Sequence, residues 1–282
     1  GGSRSGTVTY YAVVGQKLGD MYGYIYDGVY TTDDFIQDDK GNFSLREGVV
    51  VPVNSKGEAK PVQPGDIKFA ANQTGEDGTA QFSEAHKVKI GNGTPDCIGG
   101  FNNTFTFRGF DLSVFMKFSI GNDIYNATKH SMSPYGQFQN VPTEFGSNYY
   151  RLIDPVTGQK ATTLARIKEL NPDESSRLWN LGSTNSSYIT YPSSYYVEDG
   201  SYLRIAQVTV GYTFPKRWLQ KAMISNARIY FTANNLATIT GYSGYDPEVS
   251  AGSSDYVACT PGYDSSMYPR SRSYVIGLNL TF

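Results

Sequence analysis

The chain has 282 residues, 24 of them basic and 26 acidic, for a net charge of -2; it is long enough for one large or two ordinary domains and lacks the basic run of a dedicated nucleic-acid binder. Aromatics reach 14%, including 23 Tyr and 15 Phe, beside 30 Gly, a strand-and-turn composition poor in helix formers. No stretch approaches the roughly 18 apolar residues of a spanning helix, and two histidines with two cysteines give no histidine-rich metal centre, zinc site or disulfide framework.

The start, Gly1-Gly2-Ser3-Arg4-Ser5-Gly6, has no charged-then-apolar pattern, so no signal peptide is expected within this chain. Thr7 to Val14 is strand-like, and a long polar stretch over 15–99 follows. The spacing then predicts a tight hairpin turning at Arg108-Gly109. Phe101, Phe105 and Phe107 alternate with Asn102, Thr104 and Thr106; past the turn, Leu112, Val114, Met116 and Phe118 oppose Asp111, Ser113 and Lys117. The second long stretch, 120–200, contains one helix candidate, Thr162 to Leu170. Residues 201–214 set Val208, Val210, Tyr212 and Phe214 against Gln207, Thr209, Gly211 and Thr213. Pro215 to Lys221 reads as a single proline-opened helical turn. Residues 226–240 then set Ile229, Phe231 and Ala233 against Arg228, Tyr230 and Thr232, and a third long stretch covers 241–272. The last strand is the cleanest: Tyr274, Ile276, Leu278, Leu280 and Phe282 share one face, and Val275, Gly277, Asn279 and Thr281 share the other.

Six long strands joined alternately by short and long connections have the habit of outer-membrane barrels, whose strands of about 9 to 11 residues alternate apolar-out and polar-in. A β-sandwich gives the same alternation, with the apolar faces meeting in a dry core. Six strands are too few to close a membrane barrel, for which about 8 is the smallest number. Open edges near 5–14 and 273–282 would therefore need the rest of a larger barrel. A terminal Phe282 behind alternating apolar residues suits a lipid-facing strand ending at the membrane interface.

Asp199 to Pro215, Asn234-Asn235-Leu236 and Thr240-Gly241-Tyr242-Ser243-Gly244-Tyr245-Asp246-Pro247-Glu248-Val249 stand in an order that resembles the SusC/RagA-like TonB-dependent outer-membrane transporters. Pro95-Asp96, Gly99 to Phe105, Gly109 to Ser113, Gly121 to Asn126, Tyr22-Gly23-Tyr24 and Tyr26 to Tyr30 extend the resemblance over nearly the whole chain. It implies an all-β fold in which residues 1–282 are the carboxy-terminal six strands of a large antiparallel transmembrane barrel of about 22 strands with long extracellular loops. The plug domain and the TonB-contacting amino-terminal region lie outside this chain. It further implies a SusD-like surface lipoprotein as partner, energy through TonB, and import of oligosaccharides or peptides across a bacterial outer membrane.

Many members of the family carry a calcium-loop-like sequence where this chain has Asp66 and Asn72 to Gly78. Here the acidic spacing is broken and His86 stands near where a closing carboxylate is wanted, so a plain polar loop is expected and no metal. Seven Asn-x-Ser/Thr triplets, at Asn42, Asn72, Asn92, Asn102, Asn126, Asn185 and Asn279, read as coincidences of an Asn/Ser/Thr-rich bacterial chain. No nucleophile elbow, His-Glu-x-x-His or phosphate-binding glycine loop is present, so neither enzyme nor cofactor is expected. The candidate substrate or lid contacts are Tyr188 and Tyr195 in the middle stretch and Tyr242, Tyr245, Tyr256, Tyr263 and Tyr268 in the last. Their rings suit stacking on sugars or packing on a protein, and equally a small core within the loops. Cys97 and Cys259 would lie on the same outer side, where one bridge is open to them. A passive porin-like barrel and a soluble glycan-binding β-sandwich or adhesin remain as alternatives.

Overall fold

The computed structural model describes residues 9–11, 14–15, 17–54, 56–133, 142–180, 186–220, 223–249 and 260–282. The chain divides into two compact units: a strand unit of Asn92–Tyr125 with Glu198–Phe282, and a loop unit of Gly1–Gly91 with Asn126–Val197.

The strand unit is an open antiparallel meander of five long strands: β1 (Cys97–Phe107), β2 (Phe110–Ile120), β3 (Tyr202–Thr213), β4 (Asn226–Thr240) and β5 (Ser273–Thr281), each paired with its sequence neighbour. The β1–β2 turn needs two residues at positive φ to match the right-handed strand twist. Arg108 supplies 47° and Gly109 supplies 92°. Pro215 opens the short helix Lys216–Leu219 between β3 and β4, as the sequence predicts.

The register stacks the apolar residues across all five strands. Phe105, Leu112, Val210, Phe231 and Ile276 form one row, and Phe107, Phe110, Tyr212, Ile229 and Leu278 form the next. In β3 the alternation slips by one between Ile205 and Val208. A bulge there leaves Ala206 unopposed on β2, so Leu203 and Ile205 return to the apolar face opposite Phe118 and Met116. That face is open: Phe105, Phe107, Phe110, Val210, Phe231, Tyr274, Ile276, Leu278, Leu280 and Phe282 are all exposed. A sandwich would bury them.

The expected count of six is corrected to five in this sheet. Among the described residues of the stretch 7–14, Thr9–Tyr10 forms a short strand that pairs with Asp20–Gly23, through Thr9 with Tyr22 and Tyr10 with Met21. The open edges of the sheet are therefore β1 and β5, and the amino-terminal edge is at Cys97–Phe107 instead of 5–14. Alternation shows that a segment is extended; it does not name its partner.

The loop unit has its own core. Tyr24, Phe69, Phe82, Tyr188 and Tyr191 pack with ring centroids 4.8 to 6.5 Å apart. Around the fully buried Trp179 stand Tyr26, Phe145 and Tyr195. The Glu174 carboxylate accepts from the Thr32 backbone and hydroxyl at 3.0 Å and from the Tyr150 hydroxyl at 2.9 Å, tying segments that are far apart in sequence. The expected helix is present as Leu164–Leu170, capped by Thr163, whose hydroxyl accepts from the Arg166 N–H.

Candidate functional site

On the polar face of the sheet, charges pair across strands. Arg228 on β4 grips Asp111 on β2 in a two-point contact, Nε to Oδ1 at 3.0 Å and Nη2 to Oδ2 at 2.5 Å. The strand between them presents Gly211, where a Cβ would stand 2.4 Å from Nη2 and 2.5 Å from Oδ1. Glycine is required there because the ion pair passes over it. The Tyr230 ring uses Gly277 of β5 in the same way, with a Cβ meeting Cζ at 2.1 Å.

At the end of the sheet where β3 begins, the polar face carries a denser cluster. Arg204 is 2% exposed and pairs with Asp246 at 2.5 Å and Glu248 at 2.8 Å. Glu248 also meets the Lys117 ammonium, accepts from the Tyr202 hydroxyl at 2.8 Å and lies 3.1 Å from Arg270 Nε. Asp246 accepts from the backbone N–H of Glu248 and of Arg270, which folds the Tyr245-Asp246-Pro247-Glu248 turn against the sheet. Burial raises both carboxyls, but hydrogen bonds to Arg204 on Asp246, and to Lys117 and Tyr202 on Glu248, more than offset it and leave both below the usual carboxylate range. Beside the cluster lies a cavity of about 250 Å³, whose lining includes Arg204, Thr238, Tyr245, Pro247, Arg270 and Arg272.

The tyrosines singled out in the sequence divide by exposure. Tyr245 and Tyr268 lie open, 75% and 89% exposed. Tyr242 is buried and donates to Asp264 Oδ2 at 2.5 Å, with burial and that carboxylate pushing its hydroxyl well above the usual range. Tyr263 stacks on Tyr125 with centroids 6.0 Å apart. Tyr188 is buried in the loop unit's aromatic core, and Tyr195 packs on Trp179 and Tyr26 while donating to Glu144. Tyr256 and Cys259 lie outside the described residues, and Cys97 is an exposed thiol at the start of β1.

The 72–86 segment is a self-bonded hairpin. Asn72 clamps Ser83 and the His86 carbonyl, and Asp77 accepts from Thr79, as befits a polar loop. Sequence reasoning gave no role to Arg204, Asp246, Glu248, Lys117 or Arg270. The available signal was the lone charge of Arg204 in an otherwise uncharged strand, with Asp246-Pro247-Glu248 following downstream.

No family model matches the chain. Among curated proteins it is 28% identical over 270 residues to the TonB-dependent receptor P3 of Formosa agariphila, covering 95% of this chain and 22% of that one. It is 25% identical over 251 residues to the TonB-dependent receptor SusC of Bacteroides thetaiotaomicron, covering 81% and 21%. Among solved structures it superposes on a chain of the RagAB peptide transporter with a TM-score of 0.59 at 20% identity, covering 93% of this chain and 23% of that one. For the RagAB peptide importer in the open-open state the TM-score is 0.60 at 18% identity, covering 96% and 24%. The chain thus spans between a fifth and a quarter of the length of these relatives, and they are receptors and transporters instead of enzymes. An open five-stranded sheet is what a segment of a larger barrel presents. Along nearly its whole length, this chain is similar in sequence to TonB-dependent receptors, SusC among them.

Proposed function

We propose that the chain forms the carboxy-terminal part of the barrel wall of a TonB-dependent importer in a bacterial outer membrane, working with a SusD-like surface lipoprotein to take up oligosaccharides or peptides. The observation that carries the reading is the sheet itself. A continuous apolar face is exposed on one side, and on the other lies a polar face whose charges are paired across strands, the division a barrel wall needs between lipid and lumen. Tyr274, Ile276, Leu278, Leu280 and Phe282 then face lipid on β5, and the edges β1 and β5 pair with further strands of the same barrel. The loop unit, with a core of its own, forms a folded surface for the lid or the substrate, and Tyr245 and Tyr268 are the tyrosines placed to touch either.

The test is uptake by cells carrying the protein, with and without TonB and with and without a protonophore. Import lost in both treatments supports the reading. Import that persists in both is diffusion through a porin-like barrel and refutes it.

A further inference from the structure

The cavity beside the Arg204 cluster has unbalanced charge. Arg204, Arg270 and Arg272 line it against Asp246, three cations to one anion, and beside it Lys117 and Glu248 pair with each other. The two carboxylates are committed: Asp246 to Arg204 and two backbone N–H groups, and Glu248 to Lys117, Tyr202, Arg204 and Arg270. Arg272 is exposed and has no carboxylate partner among the described residues, and the Arg270 side chain is more than half exposed. The charge offered to solvent at the cavity is therefore positive.

The backbone around these arginines is held in place. Asp246 accepts from the Arg270 N–H at 3.2 Å, and Asn235 Nδ2 donates to the Ser271 carbonyl at 3.0 Å, holding the backbone of Arg270 and Ser271 that leads into Arg272. Such pre-organisation lowers the ordering cost of binding. A guanidinium fork matches the two oxygens of a planar carboxylate, the exposed Thr238 hydroxyl adds a donor, and the Tyr245 ring offers a face on which a sugar or peptide unit stacks. At about 250 Å³ the space admits one residue of a polymer and not a whole oligomer.

We infer that this cavity binds a carboxylate borne by one residue of the imported molecule, an inference that rests on the import reading above. The carboxylate comes either from an acidic sugar or from an acidic amino acid.

The test uses the outer-membrane protein that carries this chain, purified in detergent, and calorimetric titration with four probes. These are trigalacturonate, its carboxyl-reduced trisaccharide, an acetylated and amidated triglutamate, and the matching triglutamine. At least one acidic probe should bind about tenfold or more tighter than its neutral twin, and the preference should fall as salt is raised. Which acid binds names the source. Arg272→Gln should remove the preference and Arg272→Lys should keep part of it. Equal affinity for acid and neutral twins, no binding of either acid, or an Arg272→Gln protein with its preference intact each overturns the inference. TonB-dependent uptake alongside any of those results leaves the import reading standing; acid-selective binding without TonB-dependent uptake does the reverse.

Discussion

Replacing Arg204 by Met should unfasten the third loop without unfolding the sheet. Arg204 is the buried centre of the cluster, and its loss leaves Asp246 and Glu248 with fewer opposing charges in a poorly solvated place. Truncating one partner of a buried ion pair costs about 3–5 kcal/mol. Glu248 keeps Lys117, Tyr202 and Arg270, and Asp246 keeps two backbone N–H donors, so the loss belongs at the lower end, about 3 kcal/mol. At about 1.4 kcal/mol per decade, that opens the turn roughly a hundredfold more often. Hydrogen exchange reads this directly, because the amides of Glu248 and Arg270 donate to the Asp246 carboxylate. Both should exchange roughly a hundredfold faster in Arg204→Met, while amides in the middle of β4 keep their rates. Acid should act in the same direction. Both carboxyls lie below their unfolded values, so their contribution is present above about pH 4 and is lost as the pH falls through the lower folded values. Unchanged protection of Glu248 and Arg270 in the variant would show that the turn is held by other contacts and refute the reasoning.

Other substitutions probe the two faces and the loop unit. Gly211→Val drives a side chain into the Asp111–Arg228 contact, and a lower unfolding temperature is expected in a detergent melt, with Gly211→Ala intermediate. Ile276→Arg puts a charge on the apolar face and should cost about 2–4 kcal/mol in liposome unfolding, whereas Thr106→Arg on the polar face should cost less than about 1 kcal/mol. Burial pushes His130 in the loop unit down to about 4. The unfolded chain takes up a proton near pH 6.5 that the folded unit refuses, so stability is lost as the pH falls from 6.5 toward 4. The loss approaches about 3 kcal/mol and should show as a falling midpoint in denaturant melts over that window, flattened in His130→Phe.

The long strands were legible because each residue's face is set by local alternation. Phe105, Leu112, Val210, Phe231 and Ile276 form one row in the sheet as their parity requires. The slip at Ala206 breaks that parity, and only the pairing shows that a bulge repairs it. Thr9–Tyr10 alternates like any other strand, and its choice of Asp20–Gly23 depends on contacts with no local trace. The two readings of the tyrosines stayed open in the sequence for a related reason: Tyr188 and Tyr245 look alike there, yet one fills a core and the other lies open. Arg204 is legible only together with Asp246 and Glu248, 42 and 44 positions later, because a buried charge declares its role through its partners.

The central claim is that one face of this sheet meets lipid and the other a polar lumen, and residues 273–282 decide it most directly. Single spin labels placed in turn along that segment of the full protein in liposomes report accessibility to oxygen, which concentrates in lipid, and to a polar nickel chelate, which stays in water. The account predicts a period of two. Positions 274, 276, 278 and 280 should be open to oxygen and closed to the chelate, and 275, 277 and 279 the reverse. Chelate access at every position, or access of neither reagent to the Ile276 face, would place that face in water or in a protein core and contradict the account.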